Sequence, residues 1–164
     1  MAVVSKVDCR IEATETGTAD LGTPKMAHVF QYLLSLASGT ASNQSDLVWS
    51  DERTLAGTTE NIDLRGALTS QLSGAAVNFV EITFLAIWVK TTTSGYVLKA
   101  GGDTNSAPFF QATNDIVKIG AGGVFVLGSP VDGYAITAGT GDILKLDSGS
   151  DTITYQILVL GRSA

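Results

Sequence analysis

Little in this chain of 164 residues suits it to covalent chemistry or metal binding. Cys9 is its only cysteine, which excludes an internal disulfide and a thiolate-based zinc cluster. His28 is its only histidine, so any Ser-His-Asp or Cys-His arrangement would have to use it. Charged residues make up only 16% of the chain, and sixteen acids against ten bases give a net charge of −6. That sign opposes attraction to a polyanion and argues against nucleic acid as a partner. No apolar run approaches the ~20 residues of a membrane helix, and no basic segment precedes an apolar one at the N-terminus. A soluble chain without a secretion signal or membrane partner is the expectation.

What the chain does have is apolar content and glycine. At 45% hydrophobic it is far from the composition of disordered chains, and its length fits one domain with a core of its own. Eighteen glycines and many threonines point to strands joined by tight turns. Residues 3–13 alternate, with Val7, Cys9 and Ile11 on one side and Lys6, Asp8, Arg10 and Glu12 on the other. After a turn over 17–24, Phe30, Tyr32, Leu34 and Leu36 alternate with polar residues. Here a strand is preferred over a helix capped by Thr23, begun at Pro24 and ended at Gly39.

Residues 78–90 predict a central strand with Val80, Ile82, Phe84, Ala86 and Trp88 on one wholly apolar face and, on the other, Leu85, Ile87 and Val89 apolar in the second half, so that this end is covered on both sides. Shorter strands are expected over 96–99, 109–112, 116–119, 124–127, 134–137 and 143–146, and a last one over 152–160 with Ile153, Tyr155, Ile157 and Val159 facing one way. Only 64–72 suggests a helical turn. Many short strands without amphipathic helices between them predict an all-β antiparallel sandwich in a single domain, residues 1–24 forming an N-terminal arm or edge strand.

The candidates for chemistry are weak. Asp46, Asp51 and Glu52 cluster in sequence, as the two acids of a glycan hydrolase must in space, but a solvated turn explains them better. Gly120, Gly122 and Gly123 precede a strand instead of opening a helix, so they read as a turn and not as a phosphate loop. Residues 138–146 and 147–155 resemble two calcium-binding nonapeptide repeats, with Asp147 and Asp151 as oxygen donors. Asp142 is one position out of place, and such solenoids need about three copies, so a hairpin loop over 147–151 is the preferred reading. No catalytic residue, cofactor or metal is expected.

A family resemblance adds to this. GTASNQSDLVWSDERTLAGTTENIDLRGALTS (39–70), VNFVEITFLAIWV (77–89), GGVFVLGSP (122–130), AITAGTGDILKL (135–146) and TYQILVLGRSA (154–164) together resemble small virion proteins of tailed phages. The resemblance spans about three quarters of the chain, and residues 1–38 share only its general character. It implies a jelly-roll structural protein on the outer capsid surface, a cement or decoration protein bound to the major capsid protein as a homotrimer. It supplies no catalytic residues, and the loop DSGSD (147–151) is shorter than the family leads one to expect. A tail-fibre or receptor-binding sandwich is the alternative, and a glycan hydrolase a distant third.

For a contact surface, aromatics are the first choice, because interface cores are rich in them and poor in charge. Trp49, Phe109 and Phe110 are the candidates. On a regular strand the adjacent rings of Phe109 and Phe110 would face opposite ways, so that either one leaves the core face for an interface or both faces are buried in the sandwich. The strand over 3–13 is a further one. It either pairs at a sheet edge with a neighbouring chain or closes this protein's own sandwich.

Overall fold

Period-two alternation broken by glycine turns produces thirteen strands and no helix among the residues that the computed structural model describes, 2–18, 20, 22–66 and 68–164. The first two, β1 (Ser5–Thr16) and β2 (Lys25–Leu36), pair only with each other as a long antiparallel ribbon. The rest are β3 (Leu47–Ala56), β4 (Thr59–Asp63), β5 (Leu68–Thr69), β6 (Ala76–Val77), β7 (Glu81–Val89), β8 (Val97–Gly101), β9 (Ile116–Gly120), β10 (Val124–Gly128), β11 (Tyr134–Ala135), β12 (Ile143–Asp147) and β13 (Thr152–Arg162). One large sheet has the order β10-β7-β13-β3, with β11 also on β7, the other large sheet the order β4-β12-β8-β9, and β5 pairs with β6 alone. The strand pairs are all antiparallel.

The two sheets close over one core. From the first sheet come Ile153, Tyr155, Ile157 and Val159 of β13, as their alternation predicts, with Leu85, Ile87 and Val89 of β7. Leu98 and Ala100 of β8, Leu144 and Leu146 of β12, Ile62 and Ile119 meet them from the second. Each large aliphatic chain removed from water in this way contributes roughly 1.5 to 3 kcal/mol.

β7 is central, and Leu85, Ile87 and Val89 of its second half are buried as expected, but the opposite side of that half is not covered. Leu160 stands opposite Phe84 and Gly161 opposite Ile82, so Thr83 is an extra residue and the alternation flips there. Ile82 therefore joins the main core, while Phe84, Ala86 and Trp88 face outward and Trp88 is 45% exposed. Gly161 permits this bulge, because a Cβ there would overlap the Glu81 carbonyl and the Phe79 ring.

Other expectations also change. Residues 109–112 form turns and bends, not a strand. Asp51 and Glu52 lie on β3 and not in a solvated turn. The 147–151 loop is no hairpin, since β12 and β13 belong to different sheets and the loop crosses between them. The arm or edge strand foreseen over 1–24 is half of a ribbon that continues to Leu36. Parts of the turn over 17–24 and of the helical turn over 64–72 lie outside the described residues. What is described of 64–72 is turn and the short β5.

Candidate functional site

Twelve-residue strands make β1 and β2 a ribbon ~40 Å long. Its register places Leu36, Val7, Leu34, Cys9, Tyr32, Ile11, Phe30, Ala13, His28 and Met26 on one face, with Ser5 and Glu15. Opposite them lie Lys6, Asp8, Arg10, Glu12, Thr14 and Lys25, among which Leu33 and Val29 are interspersed. The ribbon is amphipathic, and only the base of its apolar face is covered. Leu36, Leu34 and Val7 pack on Phe84, Leu160 and Val48 in a second small core, and the Tyr32 ring reaches Phe84 at 6.4 Å. Beyond Tyr32 the same face is in water: Ile11 is 63% exposed, and Phe30 and Met26 are each 60% exposed.

The surface under the ribbon base is the outer face of the first sheet. Its cross-strand rows follow from the register. Gly128, Phe84, Leu160 and Val48 form the covered row. A Cβ at Gly128 would overlap the Phe84 ring, so glycine is what lets that ring lie across the sheet. The next two rows are Val126, Ala86, Leu158, Ser50 and then Val124, Trp88, Gln156, Glu52. Their apolar members are largely exposed, Val124 to 63%. Except for Val126, the residues of these two rows line, with Gln71, an open depression of about 510 Å³.

Polar groups fix the rim. Lys90 Nζ donates to Glu52 Oε2 at 2.8 Å, and Gln156 donates to the same oxygen at 2.7 Å. Those two hydrogen bonds hold the Glu52 carboxyl below its ordinary range. Burial alone would raise Asp51, but hydrogen bonds from Arg53, the Glu52 N–H and Gln71 outweigh it and lower its pKa. Arg53 also pairs with Glu60 and lies 5.3 Å over the Trp49 ring. Tyr155 donates to Glu60 at 2.8 Å. Burial, then that bond, pushes the phenol's pKa far up.

The three aromatics expected at an interface pack inside instead. Trp49 and Phe109 are buried in the main core, Phe109 edge-to-face on Tyr134 with ring centres 5.6 Å apart. Phe110 is half-buried and packs against Phe125 at 6.3 Å. Both rings turn inward because their segment is a turn, where strand alternation does not apply. His28 lies on the bare half of the ribbon, 3.7 Å from Glu15. Asp147 accepts from Lys99 at 3.1 Å and from the Gly149 N–H at 2.7 Å, so its carboxylate serves the loop. Among the described residues no group of three or more His, Cys, Asp or Glu is placed to hold a metal ion.

Sequence reasoning missed Trp88 as a surface residue. The signal needed was the bulge at Thr83, and a β-branched polar residue inside an apolar strand does not by itself announce one. No family model, curated protein or solved structure matches this chain.

Proposed function

We propose that this chain is a non-enzymatic structural protein of a tailed-phage virion, binding the major capsid protein on the outer head surface as a cement or decoration protein. The jelly-roll connectivity and homotrimer implied by the family resemblance belong to the same reading. The observation that carries it is the ribbon: a projection whose apolar face is buried at its base and bare beyond Tyr32. Contiguous apolar surface of this kind marks contact with another macromolecule. On a lattice such a contact need not be strong, because it is repeated many times.

The alternative, a tail receptor-binding module, draws on the exposed Trp88 beside Gln156 and the Glu52–Lys90 pair, a combination suited to stacking and hydrogen bonding a sugar. One experiment separates the two. Particles lacking the gene product are mixed with purified protein, either intact or with residues 13–28 replaced by Asn-Gly, which closes the ribbon early with a two-residue turn. The intact protein is expected to coat the head in electron micrographs, and the shortened one, still melting cooperatively, to leave it bare. Density confined to the tail tip would overturn the capsid reading in favour of the alternative.

A further inference from the structure

We infer that the bare half of one copy's ribbon packs on the bare part of a second copy's outer sheet face, so that each copy gives a ribbon and receives one. The inference rests on the reading that the ribbon is an assembly element: what covers its bare apolar face is a second copy, and it is the assembled copies, held by repeated contacts, that would coat the head.

The chain carries two uncovered apolar surfaces of the same design. One is the distal ribbon, with Ile11, Phe30 and Met26; the other is the sheet patch of Val126, Leu158 and Trp88. The type of contact between them already exists within the chain. The base of this same ribbon face, Leu34 and Leu36, covers Phe84 and Leu160 in the adjoining row of the same sheet face. The distal ribbon continues that donor face, and Val126 with Leu158 continues that acceptor face by one row. The ribbon's own sheet does not satisfy the match, since Phe30 and Leu158 both remain in water. A second copy supplies both missing halves at once.

Size selects the kind of assembly. The distal strands, Ile11 to Thr16 paired with Phe30 to Lys25, give ~20 Å of ribbon. Two strands of that length cover roughly 300 Å² per partner, well below the ~800 Å² typical of a stable pair. Because donor and acceptor surfaces differ, each copy can make the contact twice, reciprocally within a two-fold pair or head-to-tail around a ring. A closed ring of copies doubles the buried area per copy and leaves no surface unpaired.

Sedimentation velocity on the full chain tests this with two substitutions at exposed positions, Phe30→Lys on the ribbon and Val126→Lys on the sheet. Leu158→Lys serves as a second sheet variant if Val126→Lys melts below the wild type. The wild type is expected to assemble as concentration rises, and each variant alone to stay monomeric with the melting temperature of the dilute wild type. Mixed in equal amounts, the two variants should form a one-to-one dimer and nothing larger, since only one intact ribbon and one intact sheet face can meet. A wild type that stays monomeric into the hundreds of micromolar range, variants that assemble like it, or a mixture that stays monomeric would each overturn the inference. Copies that assemble but ignore capsids would defeat the capsid reading alone, whereas monomers that coat capsids would defeat this one alone.

Discussion

Strand β13 and the ribbon carry nearly the same pattern, and their side chains end in opposite environments. Ile153, Tyr155, Ile157 and Val159 alternate with polar or half-buried residues and are almost wholly removed from water. Phe30, Tyr32, Leu34 and Leu36 alternate in the same way, yet only the last lies fully inside, and exposure grows toward Phe30. Alternation specifies which side of a strand is apolar; it does not specify that anything covers that side. In the sandwich the second sheet provides the cover. Along the ribbon the cover ends near Tyr32, and the remaining apolar face is a surface without a partner in the chain.

The largest expected effect tests the boundary between the two regions. Phe84 is the joint, buried on the outer sheet face under Leu36 and Tyr32. Replacing it with alanine should cost about 3 kcal/mol in urea unfolding, the low end for a buried Phe, because this core is small and open on one side. Hydrogen exchange should quicken most at the ribbon base and least along β13. If exchange rises equally in both, ribbon and sandwich form one cooperative unit and the contrast between them fails.

A smaller effect sharpens the sandwich side of the comparison. The folded state holds the Tyr155 phenol protonated, through burial and its hydrogen bond to Glu60, whereas in the unfolded chain it titrates near an ordinary pKa of ~10. Its contribution is therefore complete below pH ~10. Above that, the unfolded state releases a proton that the folded state keeps, and stability falls by up to about 1.4 kcal/mol per pH unit until the folded group titrates too. Tyr155→Phe should remove that part of the alkaline slope when both proteins are unfolded by urea at a series of pH values. Identical slopes would show that the phenol is not sealed in the core.

Much of the fold was legible because alternation and turn residues act locally. The strands near 116–119, 124–127, 143–146 and 152–160 emerge within a residue or two of their places. β3 and β4 did not, because Asp51, Glu52, Arg53 and Glu60 make them look like solvated loop; what admits those charges to strands is pairing of Arg53 with Asp51 and Glu60, completed by Tyr155 on Glu60 and by Lys90 and Gln156 on Glu52, which are distant in sequence. The second strand of the ribbon was legible as a strand, but its isolation was not, since pairing partners are a tertiary property. The site was read least well. Trp49 and Phe109 attracted notice as aromatics and are core, while Trp88 was assigned to the core and is on the surface. A single extra residue at Thr83 moved it there.

The smallest expected effect probes that surface most directly. Trp88→Ala in dilute protein should change stability by less than about 1 kcal/mol, because a side chain 45% exposed on an open face leaves no sealed cavity when it is shortened. The two tryptophans also report separately: Trp49 is buried under Arg53, whereas Trp88 is wet. The wild type should therefore emit with a red-shifted component that Trp88→Ala lacks. If copies do associate through this face, that component should shift to the blue as concentration rises, and the cost of Trp88→Ala should grow with it, since association adds to apparent stability by mass action. A large cost that does not vary with dilution would mean that something within the chain covers Trp88, and the contrast between a sealed inner face and a bare outer one would have to be withdrawn.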